Sequence, residues 1–157
     1  MTEQEIFNKH YSKAAAICSR AEKCEDDIKK KLSEWEVLPH VSKQIIQKLT
    51  EDKFIDNQRF ATSFVKEKFS INKWGKIKIG INLRQKKIDN SIINDSLDQI
   101  NQEDYVKCLQ ELLIKKQKTI KNEIPYNQKM KLLRFACSRG FESEIVSVTI
   151  DKNKIIS

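Results

Sequence analysis

Apolar residues recur along this chain at three- and four-residue spacing, the period of a helix with one buried face. From about His10 to Lys23 the stripe is Ala14, Ile17, Cys18 and Ala21, with Ser12 and Glu25-Asp26 as capping residues on either side. Residues Met1 to Asn8 read as a loose leader or a frayed first turn. A second helix, Glu25 to Glu36, carries Ile28, Leu32 and Trp35, and its early acids suit a helix N-terminus. Pro39 fits the start of a third, about His40 to Asp52, with Ile45, Ile46 and Leu49. Asp56 is a good N-cap for a helix to Phe69 that buries Phe60, Ala61, Phe64 and Val65. Helices then follow from Trp74 to Lys86 and from Asp89-Asn90 to Ile100. The last third predicts a helix from Glu103 with Tyr105, Leu109, Leu112 and Leu113, another from Tyr126 to Ser138, and a short one from Ser143 to Ile150. Gly140 reads as a left-handed terminator between the last two.

The same register recurs. Ile28, Leu32 and Val37 stand at offsets 0, +4 and +9, as do Ile79, Leu83 and Ile88, and Leu132, Ala136 and Phe141. Four beyond the last of each set come Ile92 and Ile145, whereas Ile45 lies eight beyond Val37, which implies an insertion around Leu38-Pro39-His40. The expected fold is all-α: three tandem three-helix repeats in an elongated, curved array. The predicted divisions are a leader at 1–9, then repeats at 10–54, 55–101 and 102–157, the last with a short tail. A small three-helix unit buries little surface alone, so neighbouring units are expected to share a core.

One segment conflicts. Lys76 to Leu83 alternates polar and apolar residues with period two, a strand signature. The other two copies have period 3.6 at this point, so it is assigned as helix. Ile79 and Leu83 then face the core, and Ile77 and Ile81 fall largely on the other side, either against a neighbouring unit or as an apolar strip open to a partner.

Composition narrows the class. Three Gly and two Pro in 157 residues leave few tight turns, which favours long helices with short connections. Cys18, Cys24, Cys108 and Cys137 include no CxxC pair, and His10 and His40 complete no ligand pattern, so no metal site is expected. No apolar run approaches the ~20 residues of a membrane span. The expectation is a reduced, cytoplasmic chain without a membrane partner.

The net charge of +8 points to an acidic partner, or more plainly to a solvated lysine-rich surface. The distribution is uneven. Residues 1–51 balance nine basic against nine acidic side chains, 52–97 hold ten against five, and 98–157 hold eleven against eight. Lys66, Lys68, Lys73, Lys76, Lys78, Arg84, Lys86 and Lys87 face only Glu67 along the chain. A second run is Lys115, Lys116, Lys118, Lys121, Lys129, Lys131 and Arg134, with Glu123. Two such clusters on successive repeats suit an extended polyanion or a nucleoprotein groove.

No phosphate-cradling glycine loop occurs, and no Ser or Cys has a recognisable base arrangement, so neither catalytic residues nor a cofactor are expected. Trp74 fits two roles, a ring for a base to stack on or a packing anchor, and a Trp-Gly pair at a helix start is more often the anchor. Asp56 and Arg59 fit either a surface pair or an N-cap with a helix-face partner. For base reading in the manner of a helix-turn-helix protein, Gln44, Gln47 and Lys48 are the best set, and a poor one.

At Phe54 to Lys68 and Trp74 to Ile88 the chain resembles the RecX family of regulatory proteins. The pattern is met at Phe54, Ile55, Asp56, Arg59, Phe60, Ala61, Lys68, Trp74, Gly75, Ile79, Leu83 and Ile88. Ser138 to Val148, with Gly140 and Phe141, is similar to the family's closing helix pair. Asn57 departs from a usual Asp, and Lys87 stands where Gly often ends the helix, which suggests a differently built turn. The resemblance implies an all-helical, cofactor-free protein that binds the RecA recombinase and its filament on single-stranded DNA. It implies restraint of ATPase and recombination activity, hence regulation of DNA repair and the SOS response. Contact with single-stranded or duplex DNA and a monomeric state belong to the same expectation. The competing reading is a helical DNA-binding protein of helix-turn-helix type that acts without RecA.

Overall fold

A computed structural model describes residues 1–156. Among them are nine α-helices and no strand: α1 (Glu3–Arg20), α2 (Glu25–Glu34), α3 (Pro39–Glu51), α4 (Asn57–Ser70), α5 (Lys76–Gln85), α6 (Asn90–Asp98), α7 (Gln102–Gln117), α8 (Pro125–Ser138) and α9 (Ser143–Lys152). The period-two segment is therefore helical. Ile79 and Leu83 are buried, while Ile77 and Ile81 are 46% and 45% exposed.

The N-terminal expectation is corrected. Residues 3–9 are the first half of α1 rather than a leader. Thr2 accepts a hydrogen bond from the Glu5 amide, and Glu5 reaches back to the Thr2 amide, a capping box that starts the helix. Ser12 thus lies inside α1 and caps nothing. Pro39 and Pro125 each occupy the first turn of their helix, where the missing N–H leaves no gap in the hydrogen bonding.

All nine residues of the predicted register are buried. The insertion expected after Val37 is absent: α3, α6 and α9 start two residues after Val37, Ile88 and Phe141 respectively. Val41, buried, takes the place that Ile92 and Ile145 hold in the other copies.

Each of the three turns is closed by the same bonds. The amides of Val37, Ile88 and Phe141 donate to the carbonyls of Leu32, Leu83 and Ala136 at 3.0, 3.2 and 3.1 Å. The residue before each is left-handed: Glu36 (φ 58°), Lys87 (φ 60°) and Gly140 (φ 97°). Lys87 therefore does not reroute its turn but adopts the glycine conformation with a side chain attached. A left-handed non-glycine residue is strained by roughly 1 kcal/mol. Lys87→Gly should raise stability by up to about 1 kcal/mol, read as a higher urea midpoint with an unchanged slope.

The chain divides into two compact units. Unit 1 comprises Met1–Phe64 with Leu83–Ile93, and unit 2 comprises Val65–Asn82 with Asn94 onward. Helices α4, α5 and α6 are thus shared out between them. Unit 1 has a core of Ile28, Leu32, Val41, Ile45 and Leu49, against which Tyr11, Trp35 and Phe54 pack. Unit 2 has one of Tyr105, Leu109, Leu113, Leu132, Phe141 and Val146, joined by Phe69 and Leu133.

Candidate partner-binding surface

Several residues of the sequence motif hold helix ends in place inside one unit or the other. In unit 1, Asp56 accepts from the Arg59 amide at 3.0 Å and so caps α4. The Arg59 guanidinium bonds Glu22 at 2.7 Å and reaches the carbonyls of Lys53 and Phe54, clamping the left-handed end of α3. Phe60 and Ala61 are buried.

In unit 2 the start of α5 is pinned to the α8–α9 turn. The Gly75 amide donates to the Arg139 carbonyl at 2.7 Å, and the Ile77 amide donates to the Gly140 carbonyl at 3.0 Å. The Lys76 amide donates to the Tyr105 hydroxyl at 2.9 Å, and that hydroxyl donates to the Glu142 carboxylate. Three amides at the start of α5 are thereby satisfied by tertiary partners. Burial and the Glu142 contact push the Tyr105 phenol far above its ordinary pKa, so it stays a donor. Trp74 is half-buried, with the Lys78 and Lys68 ammonium groups 4.4 and 5.1 Å from its ring centre. Trp74 is thus packed in part, with lysines over its ring.

The pinned turn also brings the two basic runs together within unit 2. Arg139, which sequence reasoning did not select, lies over the Phe135 ring at 5.1 Å, and Lys116 lies over the same ring at 5.5 Å. Lys73 and Arg139 both act electrostatically on Cys108 of α7, whose thiol burial pushes up. Lys76 lies 5.0 Å from the Tyr105 ring. Unit 2 holds 16 basic and 10 acidic side chains, so it carries six of the eight net charges.

The predicted contact residues do not all remain available. Lys131 pairs with Glu123 at 2.7 Å and Lys129 with Asp151 at 3.5 Å. Lys66, Lys73, Lys115, Lys118 and Arg134 are exposed and form no ion pair among the described residues. Arg84, Lys86 and Lys87 belong to unit 1. Lys86 is committed to Asp27 at 2.8 Å, and Asp27 also takes the Cys24 amide at 3.3 Å. Gln47 and Lys48 of the base-reading set are engaged by Glu51 and Asp52.

The Asp27–Lys86 pair makes a pH prediction. Burial pushes the Asp27 carboxyl up, but the Lys86 hydrogen bond, the Cys24 amide and the Lys86 charge outweigh it and hold the group below its ordinary value. Burial likewise pushes Lys86 down, and the Asp27 bond and charge outweigh that and raise it. The pair's stabilisation is thus complete between about pH 4 and pH 10. It is lost as pH falls through the depressed carboxyl value, or as pH rises through the elevated ammonium value. Asp27→Asn should cost about 1 kcal/mol at pH 7, with the difference from the parent shrinking at both extremes in urea titrations run across pH.

The fold defines an all-α protein built from a repeated three-helix unit, with basic charge concentrated in its second half. Family models for the second and third three-helix domains of RecX match residues 56–97 and 102–149. The chain belongs to the RecX family of regulatory proteins. It is 34% identical over 142 residues to the regulatory protein RecX of Clostridium acetobutylicum, covering 87% of this chain and 65% of that one. It is 26% identical over 125 residues to RecX of Leuconostoc mesenteroides, covering 80% of this chain and 47% of that one. The chain therefore spans about half to two-thirds of the length of these relatives. The crystal structure of RecX from Lactobacillus salivarius shares the fold at a TM-score of 0.89 and 22% identity, covering 98% of this chain and 99% of that one. A second crystal structure, of regulatory protein RecX, matches at 0.85 and 26% identity, covering 96% of this chain and 78% of that one. No helix among the described residues is long and apolar enough to cross a membrane.

Proposed function

We propose that this chain binds the RecA filament on single-stranded DNA as a cytoplasmic monomer and restrains its ATP hydrolysis and strand exchange. It would thereby regulate recombinational repair and the SOS response by binding rather than by catalysis. Membership of the RecX family is the observation that carries this reading. The uncompensated charge of unit 2 supports it, since an extended polyanion or nucleoprotein groove is met best by many separated cations. Lys66, Lys73, Lys76, Lys78, Lys115, Lys116, Lys118, Arg134 and Arg139 form the proposed contact surface. Lys86 serves the fold instead, through Asp27, and Lys129 and Lys131 each already face a carboxylate.

The test is ATP hydrolysis by the cognate RecA on single-stranded DNA with this chain titrated in. The expected result is a saturable decrease. Unchanged hydrolysis together with no association with the filament would overturn the reading.

A further inference from the structure

Residues 65–82 of unit 2 combine two properties that a purely structural segment does not need. Five lysines stand against one glutamate. Ile77 and Ile81, one turn apart on one face of α5, are close to half exposed, and Ile71 before them is three-quarters exposed. The exposed isoleucines are not a consequence of loose packing. The same helix buries Ile79 fully, and its first turn is bonded to the α8–α9 turn and to Tyr105. The nearby cations are not neutralised either: Lys78 rests on Trp74 and Lys76 on Tyr105, aromatic faces rather than carboxylates.

We propose that the Ile77–Ile81 strip of α5, flanked on the helix by Lys76 and Lys78, is a protein-docking site for an acidic surface that offers an apolar side chain. The RecA-filament reading above supplies the identity of that partner, and the inference rests on it. Charge complementarity sets the sign of the opposing face, and the strip supplies the dehydrated centre around which a polar rim closes. Nucleic acid is the poorer occupant, because isoleucine has neither a planar face for a base nor a group to bond a base edge. A lipid surface is poorer still. Membrane-lying helices present a broad apolar face, whereas here the opposite side of α5 is committed to the core. The lysines and the isoleucines therefore do different work on one partner. The cations accelerate and orient the encounter, and the strip holds the docked state.

The experiment compares the parent with the Ile77→Gln/Ile81→Gln variant, which removes apolar surface without changing charge or lowering helix propensity. Three probes are used: co-sedimentation with cognate RecA filaments on single-stranded DNA, anisotropy of a bare single-stranded oligonucleotide, and flotation with phosphatidylglycerol vesicles. The expected result is about tenfold weaker capture by filaments, with thermal unfolding and oligonucleotide binding unchanged. Equal capture of parent and variant overturns the docking site alone. Loss confined to the oligonucleotide or to the vesicles overturns it in favour of that occupant. A parent that filaments do not capture overturns the RecA reading and the docking site together.

Discussion

Gly75→Ala is expected to destabilise unit 2 by about 3 kcal/mol, enough to separate its unfolding from that of the parent in any thermal or urea experiment. A β-carbon at this position would overlap the carbonyl carbon and oxygen of Gly140 and the amide nitrogen of Phe141. These are backbone atoms held by the bonds from Gly75 to Arg139 and from Ile77 to Gly140, so no side-chain rotation relieves the clash. Gly140→Ala is expected to behave in the same way for two reasons at once. Its φ of 97° is disfavoured for any residue with a β-carbon, and that carbon would lie 2.6 Å from the Lys78 nitrogen. The contrast with Lys87→Gly is diagnostic. Both positions end the second helix of a repeat in the left-handed conformation, yet Lys87 already tolerates a side chain there and Gly140 cannot. A mild loss of under 1 kcal/mol for either alanine variant would show that the two glycines are not in backbone contact.

Charge reversal of Lys66, Lys73, Lys115 and Lys118 is expected to weaken filament binding on the order of a hundredfold at low salt. It is also expected to flatten the dependence of log affinity on log salt by about 0.7 for each lost phosphate contact. These four residues are exposed, lie in unit 2 and form no ion pair among the described residues, so their removal costs the fold little. Lys86→Glu supplies the comparison. It places a carboxylate against Asp27 and is expected to lower the stability of unit 1 rather than the affinity for the filament. Unchanged binding by the intact fourfold variant would remove these lysines from the contact surface.

The helices and the repeat register were legible because burial imposes a 3.6-residue period on each element, and the nine register residues are all buried. The start of α1 was missed although Thr2 and Glu5 spell a capping box, because Ile6 and Phe7 make only a short apolar stripe there. The period-two segment misleads locally. Ile79 and Leu83 of α5 face the core side and Ile77 and Ile81 the solvent side, so alternation arises without a strand. Among the motif residues the local roles are legible, Asp56 as an N-cap and Gly140 as a left-handed terminator, but the tertiary roles of Gly75 and Arg59 are not. Gly75 and Gly140 lie far apart in sequence, and Arg59 acts through carbonyls that no sequence pattern specifies. The basic surface was half legible: charge runs show in the sequence, but not which lysines are held by Asp27, Glu123 or Asp151, nor that Arg139 joins the two runs.

The most direct test of the central claim is sedimentation of labelled chain with cognate RecA filaments preassembled on single-stranded DNA, alongside the same DNA without RecA. Saturable capture by the filaments is expected, weakened by salt and by the fourfold lysine variant, at concentrations where the bare DNA retains little. Equal retention on bare DNA, or no capture by the filaments, would contradict it.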